Sequence, residues 1–296
     1  MQNKVNYRRK NGQYTVKTSV LIVVYRPSEQ EIQHIKEIAA TNHGVIVDNS
    51  ASMNEELKNA GLLHYIFLGG NKGIAEAQNI GIDYITSNIN SEYIVFLDQD
   101  SIADSDYADT ICAEFERISR MHGNLATLGP TVIRKDDGTV YAPFIRKEGI
   151  DSYGFTPRRE IISSGSCIPT SVIHAVGCND PRLFIDYVDF DWCWRANKQG
   201  YVCGITSNVR IYHKVGNHEL HFGNYRVIVS SPMRYFYSYR NYLWLCRQDY
   251  VPTDWKIKTG IKAASRFVYF PFLVSNGVDI WKYMIKGIWA GLTKRL

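Results

Sequence analysis

No apolar run in these 296 residues reaches the roughly 20 needed to cross a bilayer, and no segment is repeated or low in complexity. The stretch 1–18 is polar and basic, without the apolar core of a secretory leader. Six cysteines form no C-x-x-C pair, so neither a disulfide scaffold nor a zinc module is expected. Cys112, Cys167, Cys178, Cys193, Cys203 and Cys246 lie mostly in apolar runs and read as buried thiols of a reducing compartment. A net charge of +5 is too modest to imply a nucleic-acid partner. What is present is an ordinary globular balance, 45% hydrophobic and 21% charged, enough for one large domain or a domain with a helical appendage. Tyrosine, phenylalanine and tryptophan crowd into the last third.

The first half alternates strand-like and helix-like patterns. Residues 19–25 (SVLIVVY) read as a buried strand. Pro27 and Ser28 open a helix with Glu29 and Glu31 in its first turn and Ile32, Ile35 and Ile38 on one face. Short strands follow at 45–47, 65–68 and 93–97, and a helix after residue 71 carries Ala75, Ala77, Ile80 and Ile85. This order predicts an α/β fold with a mostly parallel, doubly wound sheet and ligands at the carboxyl ends of its strands. Residues 126–166 are irregular, with strand-like pieces and turns at Asp137-Gly138 and Gly165; a helix at 189–199 and strands at 201–205 and 209–213 come next.

Three strand ends carry polar tips. Asp48 follows the second strand, where a carboxylate suits a base or ribose, or else an Asx-turn. Asn71-Lys72-Gly73 leads into a helix that continues through Asn79 and Gly81, so free N–H groups there favour phosphate oxygens. This stretch is neither a P-loop nor G-x-G-x-x-G, which counts against an ATPase or a dehydrogenase. Asp98-Gln99-Asp100 leaves an apolar strand directly, and two carboxylates at that spacing suit one hard cation, though turns also favour Asp. The segment 183–195 sets Asp186, Asp189 and Asp191 among large apolar groups, which raise a carboxyl's pKa and make it a better proton acceptor. Asp189 is taken as the functional carboxylate and Asp191 as a positioning one; a helix starting nearby makes at least one of them an N-cap. His213 ends a strand, and gains meaning only if the fold brings it to Asp100.

In this order the pieces resemble the family 2 glycosyltransferases of GT-A fold. The matching features are Tyr25-Arg26-Pro27, Asp48-Asn49-Ser50, Asn71-x-Gly73, Asn79-x-Gly81, Asp98-x-Asp100, the Gly165 loop, Asp189-x-Asp191 with Arg195, and His213. The likeness covers about residues 18–250, and the wording of 96–101 and 184–195 is most similar to bacterial rhamnosyltransferases of surface polysaccharides, with galactofuranosyltransferases next. It implies a Rossmann-like catalytic domain over 1–225 and a helical extension over 226–296. It also implies that Tyr25, Asp48, Asn71, Gly73, Asn79, Asp98 and Gln99 hold the nucleotide-diphosphate sugar. Asp98, Asp100 and His213 would ligate Mg²⁺ or Mn²⁺, and Asp189 would deprotonate the acceptor hydroxyl, giving inversion. Asp191, Arg195 and Gly165 would position the acceptor side. The implied donor is dTDP-L-rhamnose and the implied acceptor a glycan or lipid-linked hydroxyl. One departure stands out: Val188 occupies the place where the family often has Glu before the base.

Residues 234–250 and 255–296 mix aromatics with Arg and Lys, including Trp281, Tyr283, Ile285, Ile288 and Trp289 beside Lys282, Lys286, Lys294 and Arg295. Such a stretch suits a lipid interface, which places the protein at the inner face of the plasma membrane; a packed helical subdomain or a homodimer contact are the alternatives. A sugar nucleotidyltransferase would need a Gly-rich, basic loop near the start, for which Arg26-Pro27-Ser28 is a poor substitute. A non-catalytic scaffold on the same fold would have no physical reason to keep Asp98, Asp100, Asp189 and His213 together.

Overall fold

The apolar run 19–24 alternates its side chains between two cores. Val20, Ile22 and Val24 face one cluster with Ile35, Ile38 and Ile111, while Leu21 and Val23 face another with Val45, Val47, Ile82 and Trp192. A strand apolar on both faces needs helices on both sides, as in doubly wound sheets. The computed structural model describes residues 7–10, 13–134, 138–140, 149–213, 219–222 and 225–293.

A hairpin of β1 (Tyr7–Lys10) and β2 (Gln13–Val16) precedes the central strand β3 (Thr18–Val24). Helix α1 (Glu29–Ala39) starts at Ser28, which forms a capping box with Glu31. Then come β4 (Gly44–Asp48), the short α2 (Glu55–Lys58), β5 (Leu63–Phe67), α3 (Ile74–Tyr84) and β6 (Tyr93–Asp98). After α4 (Tyr107–His122), strands β7 (Leu125–Arg134), β8 (Phe155–Arg158) and β9 (Cys167–Pro169) precede α5 (Thr170–Val176) and α6 (Val188–Lys198). The long β10 (Val202–His213) and a hairpin of β11 (Glu219–Phe222) and β12 (Tyr225–Ile228) lead to α7 (Pro232–Cys246), α8 (Thr253–Leu273) and α9 (Gly277–Thr293).

The main sheet has eight strands in the order β5-β4-β3-β6-β9-β7-β10-β8. β5, β4, β3 and β6 run parallel, β9 is antiparallel to its neighbours β6 and β7, and β10 runs parallel to β7. The mostly parallel α/β fold expected from the sequence is therefore present. The strand-like pieces expected in 126–166 are there in the ten-residue internal strand β7, where the missing N–H of Pro130 is tolerated because β10 shifts register between Ile205 and Arg210 opposite it. One reading differs. The two strands expected at 201–205 and 209–213 are one strand bent at that irregularity. All six cysteines are free, four of them buried, while Cys178 is exposed.

Helices α7 to α9 do not stand apart. Trp244, Leu245, Val251 and Trp255 share an apolar cluster with Ala75 of α3 and with Leu183, Val188 and Trp194 around α6. Among the described residues no helix is long and apolar enough to cross a membrane.

Candidate active site

Parallel neighbours end on the same edge, so the tips of β4, β3 and β6 line up. Val24 pairs with Asp48 and Val23 with Asp98, which puts the two backbones two strand spacings apart, about 10 Å, with their side chains on opposite faces of the sheet. Between them the chain leaves β3 through exposed Tyr25 and through Arg26, whose φ of +51° is unusual for a residue with a side chain. The Tyr25 N–H donates to Gln99 Oε1 (2.6 Å) and the Arg26 N–H to Ser50 Oγ (2.7 Å). This backbone thus bridges the Asp48 and Asp98 loops.

Asp48 is fully buried. Its Oδ1 accepts the Ser50 N–H (2.9 Å), an Asx-turn, and the Tyr65 hydroxyl donates to Oδ2. Burial first, then that hydrogen bond to the carboxylate, hold the Tyr65 phenol above its usual range. Tyr65 was not singled out by sequence; no spacing rule links β5 to β4, and only the register brings them side by side. Next to it, Asn49 joins the Asn71 turn: its Nδ2 donates to Asn71 Oδ1 (3.1 Å), and its Oδ1 accepts the Lys72 N–H (2.6 Å). Gly73 has φ +85°, and a Cβ there would sit 2.6 Å from the carbonyl oxygen of Phe184. That carbonyl accepts the N–H groups of Ile74 (2.7 Å) and Ala75 (3.4 Å). Two donors at the start of α3 that the sequence offered to phosphate are thus occupied by protein.

Asn79 exchanges two hydrogen bonds with the Asn179 backbone (2.9 and 3.0 Å), and the Asn179 side chain donates to Gln78 Oε1 (2.8 Å). Gln78, Ser163, Asn179, Trp192 and Cys193 line a pocket together with Asp189. Asp189 sits in the first turn of α6, partly accessible, with its Oδ1 accepting the Phe190 N–H (3.0 Å) and its carboxylate also accepting from the Ser163 backbone. Burial raises its pKa to about 7; the negative charge of Asp98 pushes the same way, against those N–H donors. Asp98 and Asp189, far apart in sequence, are therefore close enough to feel each other.

Two residues on in the helix, Asp191 faces the other way. It is buried, salt-bridged to Arg195 (2.9 Å) and hydrogen-bonded by Tyr250 (2.7 Å), while Arg195 also caps the carbonyls of Val176 and Cys178. Gly165 is packed where a Cβ would meet the Tyr107 hydroxyl at 2.6 Å, with φ +76°, and its N–H bonds to Phe96 O (2.7 Å). Asn79, Asp191, Arg195 and Gly165 are thus tied up in contacts within the protein, whereas Tyr25, Asp48, Asn71, Gly73, Asp98 and Gln99 lie at or just past the ends of the parallel strands and Asp189 lines the pocket within reach of the charge of Asp98.

Ile102, just past Asp100, bridges to Tyr212, its N–H donating to the Tyr212 carbonyl (2.9 Å). The backbone of His213 therefore ends β10 alongside the Asp98–Asp100 turn; its side chain lies outside the described residues. Among the described residues no group of three or more His, Cys, Asp or Glu side chains forms a metal cage. The Asp98 and Asp100 carboxylates are hard oxygen donors of the kind Mg²⁺ and Mn²⁺ take.

Similar solved structures have the same architecture. GalNAc-T7, crystallised with UDP, GalNAc and Mn²⁺, superposes with a TM-score of 0.54 at 15% identity, over 92% of this chain and 54% of that longer one. Residues 1–349 of S. aureus TarS give 0.55 at 14% identity, over 94% of this chain and 81% of that one. Both are GT-A glycosyltransferases. The family model of "Glycosyl transferase family 2" matches residues 29–160. The chain is 30% identical to the dTDP-rhamnosyl transferase RfbF of Shigella flexneri over 92% of its own length and 93% of that protein's. It is 24% identical to the low-salt glycan biosynthesis hexosyltransferase Agl10 of Haloferax volcanii over 66% of each. The chain belongs to glycosyltransferase family 2 and is a glycosyltransferase.

Proposed function

We propose that this enzyme transfers L-rhamnose from dTDP-L-rhamnose, with inversion, to a hydroxyl of a lipid-linked or polysaccharide acceptor. The observation that carries the mechanism is Asp189: a partly accessible carboxyl, raised to about 7 by burial, lining a pocket beside Asp98. A base with that pKa takes a proton from an acceptor hydroxyl near neutral pH, and the freed oxygen attacks the anomeric carbon opposite the diphosphate. Asp48, Tyr65 and exposed Tyr25 form the nucleoside end of the site, and Asn71, Gly73 and Gln99 shape the path between nucleotide and sugar. Asp98, Asp100 and His213 are the residues that would hold Mg²⁺ or Mn²⁺, which supplies positive charge to the leaving diphosphate. The donor sugar rests on the likeness to RfbF. Agl10, named only as a hexosyltransferase, supports the broader reading of another hexose.

Two features support the reading that this reaction takes place at the inner membrane face. Phe272 (84% exposed) and Trp289 (69%) stand out on α8 and α9, with Val268 and Ile261 exposed as well. Exposed Lys282 and Lys286 lie in α9. Apolar side chains interspersed with cations suit an anionic lipid interface. In this reading residues 1–225 form the donor-binding catalytic part and 226–296 the helical, membrane-facing part. The test is turnover of a panel of nucleotide sugars by the full chain with Mn²⁺, Mg²⁺ or chelator. Consumption of dTDP-L-rhamnose that chelator abolishes is expected, and no turnover of any nucleotide sugar with either metal would sink the proposal.

A further inference from the structure

The turn that delivers Asp189 is held in backbone conformations that ordinary residues avoid. Phe184, Asp186 and Tyr187 all have φ of +65°. Such conformations persist only where surrounding contacts over-determine them, and they concentrate at functional sites. Here the contacts come from α7, in the helical segment that follows the nucleotide-binding part.

Asn241 is completely buried, and its Nδ2 donates to the carbonyls of Leu183 (2.8 Å), Ile185 (2.7 Å) and Asp186 (3.1 Å). Its Oδ1 accepts from the Arg240 guanidinium (3.0 and 2.8 Å), which itself donates to the carbonyls of Arg182 (2.6 Å) and Leu183 (3.1 Å). Asn241 therefore has its amide fully engaged, and its orientation is set by Arg240. The same helix adds a ring stack of Tyr237 on Phe184 (4.4 Å) and an ion pair of Arg234 with Asp186 (2.8 Å). On its opposite side the turn touches the donor end of the site, because the Phe184 carbonyl accepts the Ile74 and Ala75 N–H groups. One short turn thus couples the start of α3, the start of α6 and the middle of α7.

We propose that Asn241, oriented by Arg240, is a positioning residue for Asp189: it holds the left-handed turn 184–187 and so aims the base at the acceptor hydroxyl. This rests on the assignment of Asp189 as base. An amide that bridges three carbonyls cannot be replaced by packing alone: a side chain of the same shape without N–H groups takes that donor from the Ile185 and Asp186 carbonyls, while Leu183 keeps the bond from Arg240.

The experiment compares Asn241→Leu and Asn241→Gln with the parent. Turnover per folded molecule is expected to fall roughly 10- to 100-fold in the leucine variant, because small misplacement of a catalytic group is costly. Affinity for dTDP, measured by calorimetry, is expected to fall much less, since Asp48 and Tyr65 do not touch the turn even though the start of α3 does. Glutamine keeps the N–H donors, so Asn241→Gln should retain more turnover than the leucine variant. If Asn241→Leu does not fold, Arg240→Gln gives a smaller loss of the same pattern. Parental turnover in the folded leucine variant, dTDP affinity falling in step with turnover, or no advantage of glutamine over leucine would each overturn the proposal. Asp189→Asn is run in parallel: parental turnover there overturns the base assignment itself, whereas its loss with an active Asn241→Leu overturns only the positioning role.

Discussion

Asp189→Asn separates catalysis from folding at a single group. The Asp189 carboxyl rises from 3.8 to about 7, through burial above all and with the charge of Asp98 in support. A group whose folded pKa is raised contributes stability that is present at low pH and lost as pH climbs through the folded value, so the window here runs from about pH 4 to about pH 7. At about 1.4 kcal/mol per unit, the ionised carboxylate costs the fold about 4 kcal/mol above pH 7. The side chain is partly solvated, so roughly half of that, about 2 kcal/mol, is the fair figure. An asparagine carries no charge and escapes this cost at every pH. Its amide accepts on one oxygen only, however, and forfeits one of the bonds from Phe190 and Ser163, about 1 kcal/mol. In urea unfolding with chelator present, the variant should be less stable than the parent by up to about 1 kcal/mol at about pH 4, and more stable by about 1 kcal/mol at about pH 8. Parental turnover should rise with pH through about 7, as the base loses its proton. The variant should lose roughly 100- to 10,000-fold in turnover while still binding dTDP. A stability difference of one sign at both pH values refutes the burial argument, and retained turnover refutes the catalytic one.

Tyr65→Phe removes the hydroxyl that donates to Asp48 and accepts the Asn54 N–H (2.9 Å), so melting experiments should show a loss of about 1–3 kcal/mol, and calorimetry a weaker nucleotide affinity. Gly73→Ala puts a Cβ against the Phe184 carbonyl at φ +85°; strain of at least about 1–2 kcal/mol should lower the melting temperature and turnover together. Phe272→Glu/Trp289→Glu should lose sedimentation with vesicles containing phosphatidylglycerol while keeping turnover on a water-soluble acceptor; unchanged sedimentation would remove these helices from the lipid interface.

Local chemistry made much of the catalytic part readable. The capping box at Ser28, the two-faced apolar run of β3 and the polar tips after β4 and β6 depend on near neighbours, so their pattern survives in one dimension. The full length of β7 was not legible, because the register shift that accommodates Pro130 lies in β10, far along the chain. The phosphate-binding reading of the start of α3 was incomplete for the same reason: the occupant of its N–H groups, Phe184, is 110 residues away in the chain.

The succession of strands and helices in the first half and the carboxylates at the strand ends were legible in the sequence alone, because hydrophobic period and strand-end chemistry are properties of adjacent residues. Tertiary structure alone decided that Asp98 and Asp189 share a field, that Asp191 turns away to Arg195 and Tyr250, and that Asn241 grips the turn before Asp189. Those facts concern distances between groups far apart in the chain, which burial and register set and no local pattern encodes.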